Sequence, residues 1–410
     1  MFGTATLTLL ILLLVLSILV RQTPLFLLSL ALLLAATLSR LWERYGLVGV
    51  EYSRRFSKRQ ARFGETIELE LEIVNRKLLP LAWLEIEDEI SPNLPLARGK
   101  VNPPWKNGRA ILANLVALRP YERVRRHYPL PCTVRGEHVF GPTRLRTGDL
   151  FGLVTRETER DETESIVVYP RVVPLTALGL PAFQPLGDRR SQSWLFEDPS
   201  RIVGVRELRP GDSMRRIHWA ASARTQQLQV KVFEPTTSHK LVIFFNLNTT
   251  LSDWWNPECD PDVLELGITT AASIASWAFD ERYQVGLATN GMHRYGSRRV
   301  VLDPSGDPMH LPRLLEALGR LQHNAIRPFE QTLVEESRHL LFGTTAVAIT
   351  AGLSASVAAE LLRMRRRGHA VTVILTGRDP KITRLDGIAI RLAGPPEAWR
   401  EALSLALKPI

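Results

Sequence analysis

The chain of 410 residues predicts a multidomain α+β protein: an amino-terminal transmembrane helical hairpin, then a β-sandwich, then a carboxyl-terminal α/β domain. Three observations predict it. Apolar residues crowd the start of the chain, period-2 alternation marks the stretch that follows, and the last part alternates short apolar runs with helical spacing.

The hairpin comes first. From Phe2 to Val20 the residues are apolar apart from Thr, Ser and Gly, and at about 1.5 Å per residue the run nearly crosses a hydrocarbon core of roughly 30 Å. After Arg21-Gln22-Thr23-Pro24 a second run, Leu25 to Leu38, is extended by Ser39, Leu41 and Trp42, and Trp42 and Tyr45 suit headgroup depth. Residues 1–44 are therefore expected to hold two spans, about 2–20 and 24–42. A cleaved signal peptide fits less well, because no basic residue precedes the first run and the second would be unexplained. Arg40, Arg44, Arg54, Arg55, Lys58, Arg59 and Arg62 follow the second run, whereas the connection offers only Arg21. The positive-inside rule then places the body and both termini in the cytoplasm, anchored to the inner membrane. The net charge of +10 needs no nucleic acid, since juxtamembrane basic residues bind anionic headgroups. The cysteines, Cys132 and Cys259, lack metal-ligand spacing and indicate neither a disulfide scaffold nor a zinc site.

Residues 45–180 read as β-structure. "ETIELELEIVN" alternates Ile67, Leu69, Leu71 and Ile73 with Glu68, Glu70 and Glu72, a strand with one buried face. "LAWLEIEDEI" and "ESIVVYP" add strands between Pro and Gly clusters, and an immunoglobulin-like sandwich is the simplest closed solution. Residues 181–203 read as a linker, with Pro, Gly, Ser and charges mixed in "PAFQPLGDRRSQSWLFEDPS". From 204 to 410 a dense segment leads into strand-helix alternation: "KLVIFFNLN", "DVLELGITTAASIASWAFD", "YQVGLATNG", "HLPRLLEALGRLQ", "AVAITAG", "SASVAAELLRMRRRG", "AVTVILTG" and a last helix in "PEAWREALSLAL". Ser354 or Ser356 marks one helix start, and Gly368 sits where a carboxyl-terminal glycine belongs.

Ligands of open α/β sheets sit at the carboxyl ends of strands. The first such end carries Asn246-Leu247-Asn248-Thr249-Thr250. Its position resembles the Asp-x-Ser-x-Ser metal loop of von Willebrand factor A-like domains. Asn246 replaces the carboxylate, Asn248 the first hydroxyl, and Thr250 alone keeps the chemistry; Thr350-Ala351-Gly352 stands where that family often has Thr-Asp-Gly. Magnesium prefers anionic oxygens, so neither a metal nor another cofactor is expected.

In the segment 204–234, Asp212, Ser213, His218 and Ser222 invite a hydrolase reading, but no Gly-x-Ser-x-Gly elbow surrounds these serines. Asp212 after Pro210-Gly211 reads more simply as a turn residue or cap, and His218 beside Trp219 as a packed, hydrogen-bonded pair. Arg206, Arg209, Arg215, Arg216, Arg224 and Lys231 have enough charge for phosphates, yet Glu207, Asp212 and Glu234 among them favour internal bridges. Arg363, Arg365, Arg366 and Arg367 close a helix, where cations complement its dipole.

"GVRELRPGDSMRRIHWAASARTQQLQVKVFE" resembles the signature of the bacterial family called domain of unknown function 58. The matches are Gly204, Arg206, Pro210, Gly211, Asp212, Arg216, Ile217, His218, Trp219, Ala223, Arg224, Lys231, Phe233 and Glu234. Leu208 stands where Tyr is common, Ala220 where a basic residue is common, and Gln226 where Gly is common. "RGEHVFGPTRLRTGDLFGL", 135 to 153, is similar to the Arg-Gly, Gly-Pro and Asp-x-Phe-Gly-Leu pattern that ends the family's β-domain. The resemblance implies a membrane-anchored protein with a β-sandwich and a von Willebrand factor A-like domain, working with a MoxR-type AAA ATPase in assembly or maturation of a membrane or envelope complex.

The expected function is therefore that of a non-enzymatic interaction or adaptor protein. The bilayer and a protein such as that ATPase are its expected partners, and nucleic acid is not. A hydrolase using Asp212 and His218, or a metal-dependent von Willebrand factor A-type binding domain, is the alternative.

Overall fold

The structure is a computed structural model. It describes residues 4–94, 100–102, 108–175, 196–208, 214, 217–236, 240–251, 255, 258–293, 299–341, 344–378, 382, 384–401, 404, 405 and 407–409. The chain divides into two compact units, Met1–Arg171 with Leu318–Arg320, and Val172–Ala317 with Leu321–Ile410.

The first unit begins with helices α1 (Thr4–Leu19) and α2 (Thr23–Tyr45), which pack on each other. Their hydroxyls bond within the helices, Ser17 to the Leu14 carbonyl at 2.6 Å and Ser29 to that of Phe26 at 3.0 Å, as an apolar surrounding demands. Arg21 closes α1 in the left-handed conformation, at φ 51°. Its N–H donates to the Ile18 carbonyl and that of Gln22 to the Ser17 carbonyl, each at 3.2 Å, which is the two-bond pattern of a Schellman end. Pro24 then opens α2, where its missing N–H costs nothing.

One expectation changes here, at Trp42. Among the described residues α2 alone is long and apolar enough to cross a bilayer; the apolar helix Thr6–Leu19 is shorter. Trp42 does not face headgroups: its ring is buried and its Nε1–H donates to the Pro80 carbonyl at 3.0 Å. An indole with one polar atom found a buried acceptor nearer than water.

Among the described residues eleven strands follow: β1 (Val50–Phe56), β2 (Gln60–Ala61), β3 (Thr66–Asn75), β4 (Leu81–Ile90), β5 (Lys100–Asn102), β6 (Ala110–Leu118), β7 (Arg123–Pro131), β8 (Gly136–Phe140), β9 (Thr143–Gly148), β10 (Thr155–Arg160) and β11 (Glu164–Val168). They form sheets ordered β1-β3-β7, β10-β9-β4-β6-β5 and β2-β11-β8. The alternation in β3 behaves as its spacing requires: Ile67, Leu69, Leu71 and Ile73 are buried with Leu84 and Ile86 of β4 and with Leu130 and Phe140. Solvent-facing charges pair across strands, for example Arg144 with Glu157 at 2.9 Å, and such exposed pairs contribute about 1 kcal/mol or less.

From residue 196 onward the elements are β12 (Phe196–Glu207), α3 (Trp219–Thr225), β13 (Gln229–Thr236), β14 (Lys240–Phe245), α4 (Pro261–Asp280), β15 (Gln284–His293), β16 (Arg299–Ser305), α5 (His310–Arg320), β17 (Leu321–Ala325), α6 (Phe329–Ser337), β18 (Thr345–Thr350), α7 (Ala355–Arg366), β19 (Ala370–Leu375), β20 (Ala389–Leu392) and β21 (Lys408–Pro409). β12 starts inside the stretch read as linker and pairs with β13 as a separate two-stranded sheet. The main sheet runs β16-β15-β14-β18-β19-β20-β21, parallel through its centre and antiparallel at both edges. Leu241 to Phe245 of β14 are all buried, as in a strand covered on both faces. Ser354 caps α7, its hydroxyl accepting from the Val357 N–H at 3.2 Å, and Gly368 past its end has φ 94°. The helix expected in "PEAWREALSLAL" is only a 3-10 turn, Pro396–Arg400. Trp399 Nε1 and Arg400 Nη2 both bind Asp262 Oδ1, at 3.0 and 2.9 Å, and the chain then extends into β21.

Two buried histidines set a pH response. His138 Nε2 lies 2.9 Å from the Val134 carbonyl while Nδ1 is buried without a partner, and burial lowers the pKa of His138 and of His369 below the ordinary 6.5. As pH falls through about 6.5 the unfolded chain takes up protons before the folded one, so stability is full above that value and declines below it, down to the folded values. The melting midpoint should drop between pH 7.5 and about pH 5.5. The His138→Gln, His369→Gln double variant should flatten the slope, and an unchanged slope would assign it to other groups.

Candidate functional site

In a parallel sheet the crevice opens where neighbouring strands lead off in opposite directions. β14 lies between β15 and β18, so this point falls at Asn246, the first residue after β14. The Asn246 amide donates from Nδ2 to Thr350 Oγ1 at 3.0 Å, and Thr350 in turn donates to the Gly352 carbonyl at 2.9 Å. Asn246 Oδ1 accepts from the Asn248 N–H at 3.1 Å and from Asn290 Nδ2 at 2.9 Å. Asn290 is fully buried; its Oδ1 accepts from the Leu247 N–H at 2.9 Å, and its Nδ2 also faces Asn248 Oδ1 at 3.5 Å and the Arg327 carbonyl at 3.4 Å. Thr250 is half-buried next to Thr249, whose hydroxyl accepts from the Asp260 N–H at 2.9 Å.

The chemistry of this ring is that of amides and hydroxyls. The Asn246 and Asn248 side-chain oxygens accept from N–H groups, and the Asn290 amide supplies the positive partial charge that a cation would bring. No carboxylate in the ring offsets the dehydration of a divalent ion. Among the described residues no group of three His, Cys, Asp or Glu is placed to hold a metal. The rim is also close-packed: a Cβ on Gly377 would lie 2.1 Å from the Ala351 carbonyl oxygen.

Beside it, the start of α4 is occupied by the chain's own anion. Asp260 Oδ1 accepts from the Asp262 and Val263 N–H groups at 3.0 and 3.3 Å, and Oδ2 accepts from Arg378 Nε at 2.7 Å. Arg378 also pairs with Glu397. The guanidinium holds the Asp260 and Glu397 carboxyls below their ordinary values, and they raise its own. Asn290, Asp260 and Arg378 were not found from the sequence, because nothing in its spacing brings them to Asn246.

The signature segment is local and structural in what it spends. His218 caps α3, its Nδ1 accepting from the Ala221 N–H at 3.1 Å. The Ser222 hydroxyl donates to the His218 carbonyl at 3.1 Å and accepts from the Gln229 N–H at 2.9 Å. Of the four candidate hydrolase residues, His218 and Ser222 thus serve the backbone here. Trp219, the first helical residue, is 67% exposed, and Met214 is 65% exposed. Gln226, at the glycine position of the signature, takes φ 54°, the conformation glycine adopts without cost. Arg206 Nη1 donates to the Glu207 carbonyl at 3.0 Å. Arg224 sits exposed in the last turn of α3. Pro210, Gly211, Asp212, Ser213 and Arg216 lie outside the described residues, as does the side chain of Glu234 in β13. The basic end of α7 is engaged as well as solvated, with Arg363 on Glu360 at 2.8 Å and Arg365 on the Asp386 carbonyl.

The family described as "Protein of unknown function DUF58" matches residues 204–377. The "Uncharacterized protein YeaD" of Bacillus subtilis (strain 168) is 25% identical over 350 residues, covering 84% of this chain and 81% of YeaD. Among solved structures, the CARDB domain of a Pyrococcus furiosus protein in complex with di-metal ions is 11% identical, covers 30% of this chain and 90% of that domain, and has a TM-score of 0.20. A cohesin module from a Clostridium perfringens family 33 glycoside hydrolase is 12% identical, covers 29% of this chain and 96% of the module, also at 0.20. Scores so low bear on neither fold nor function here.

Proposed function

We propose that the protein is a membrane-anchored, non-catalytic binding protein. The α1–α2 hairpin crosses the bilayer twice with the body on the cytoplasmic side, and the β-unit is an immunoglobulin-like sandwich. The second unit is a von Willebrand factor A-like domain whose metal position has been replaced by an amide ring. Its partner is a protein, and an ATPase of the MoxR type is the candidate that the sequence resemblance suggests. The observation that carries this reading is the exposed Trp219 at the start of α3, a helix held by the His218 cap and the buried Ser222 hydroxyl, with Met214 exposed earlier in the same segment. A large aromatic ring left in water on a fixed turn is the kind of group that anchors a protein interface.

The test is co-purification of the detergent-solubilised full chain with the MoxR-type ATPase from the same cell. Trp219→Ala should weaken the complex by about 30-fold or more, the usual effect of truncating an interface anchor, with the melting midpoint unchanged. A complex that survives Trp219→Ala and Met214→Ser at full strength would remove this face from the interface.

A further inference from the structure

The β9–β10 loop carries the Asp-Leu-Phe-Gly-Leu motif, for which the function above has no use. Asp149 is buried. Its Oδ1 accepts from the Leu153 and Val154 N–H groups at 2.9 and 3.1 Å, and the Asp149 N–H donates to the Val154 carbonyl at 3.2 Å, closing the hairpin. Gly152, at φ 69°, makes the reversal. The loop is thus held in shape, and yet Leu150, Phe151 and Leu153 are 63, 53 and 42% exposed. A built loop presenting three apolar side chains to water needs a covering phase.

The other Asp149 oxygen, Oδ2, accepts from Ser39 of α2. Tyr45, at the base of α2, is anchored through its carbonyl to Lys77 Nζ at 2.8 Å. Ser39 is therefore about 9 Å above that base, at 1.5 Å per residue. The loop is hydrogen-bonded to α2 at the level where the apolar run of that helix gives way to Arg40 and Arg44. Leu38 and Leu41 are exposed on α2 at the same height, Arg40 is half-buried and Arg44 exposed, and Arg156 of β10 reaches the Glu43 carbonyl at 3.4 Å. Apolar side chains with arginines just below them match a membrane boundary with anionic headgroups.

We propose that Leu150, Phe151 and Leu153 form an interfacial foot that dips into the bilayer beside α2 and fixes the β-unit against the membrane surface. The proposal rests on the reading of α2 as a membrane span. The occupant is lipid at the boundary of headgroups and acyl chains, because the loop continues the apolar surface of that helix at the level where it leaves the β-unit.

The experiment uses the full chain in phospholipid nanodiscs, one copy per disc, in a Cys259→Ser background that leaves only the buried Cys132 as a native thiol. A single cysteine is placed by Phe151→Cys, by Leu32→Cys at mid-span, or by Asn93→Cys, exposed past the far end of β4. Each is labelled with an environment-sensitive fluorophore. The discs carry lipids brominated either near the headgroup end or near the methyl end of the acyl chain. The label at 151 should be quenched severalfold more by bromine near the headgroup end, that at 32 more by bromine near the methyl end, and that at 93 by neither. Leu153→Cys should repeat the result at 151, guarding against a local distortion. A label at 151 that behaves like that at 93, with that at 32 quenched, overturns the foot and leaves the span standing. A label at 32 that escapes quenching overturns the span and the foot with it. A blue-shifted label at 151 that no lipid bromine quenches means a protein cover, which also overturns the proposal.

Discussion

Asp88→Ala should cost about 3–5 kcal/mol of stability, the largest single-residue effect expected in the β-unit. The Asp88 carboxylate is buried in β4 and accepts from Arg54 Nη1 at 3.2 Å, from Thr143 Oγ1 at 2.5 Å and from the Tyr52 hydroxyl. Arg54 is 5% exposed, and its other nitrogen donates to the Glu162 carbonyl at 2.6 Å. Burial pushes the Asp88 carboxyl up, against the Thr143, Tyr52 and Arg54 donors that favour the charged form. Burial and the neighbouring Asp88 raise the Tyr52 phenol, so it stays a donor. Truncation leaves a guanidinium and two hydroxyls buried without their acceptor, and the orphaned charge is the dominant loss. For a unit of this size the melting midpoint should fall by about 10 °C. Removing the charge as well, in Asp88→Ala with Arg54→Met, should recover part of the loss. Equal losses in the single and double variants would show that the guanidinium is not what the carboxylate serves.

Lys77→Met should cost about 3 kcal/mol and loosen the joint between α2 and the β-unit. Lys77 Nζ donates to the carbonyls of Tyr45, Gly46 and Val48, at 2.8, 2.5 and 2.7 Å, which cluster at and just past the end of α2, and the Tyr45 carbonyl also accepts from the Val48 N–H at 3.2 Å. Burial lowers this ammonium to about 8, so it is still charged at neutral pH, where it also complements the helix dipole. Methionine keeps the stem and deletes every donor. Amide hydrogen exchange over residues 45–50 in the detergent-solubilised protein should accelerate by about a hundredfold if the loss is local, with the β3 core unchanged. Unchanged exchange would mean that Trp42 and the Ser39–Asp149 contact hold the joint by themselves.

Wherever spacing along the chain dictates which side is buried, the fold was legible in advance. The period-2 run of β3 buried its four aliphatic residues, the continuous apolar run of β14 became a central parallel strand, and Ser354 and Gly368 bounded α7. That positions 246 and 248 carry amides and position 250 a hydroxyl was equally plain, because identity at a position needs no geometry. Polar groups behaved differently. Trp42 met the Pro80 carbonyl instead of lipid headgroups, and His218 caps α3 through its own ring nitrogen. The helical pattern after Pro396 gave way to a short turn at Asp262 and an edge strand. Asn290 completed the amide ring from 44 residues away, and Asp149 held Ser39 across 110. Periodicity is written into local order, since it depends only on the repeat of a helix or strand. A buried donor or acceptor, by contrast, must pair with whatever the closed fold brings within about 3 Å, and that choice exists only once distant segments have packed.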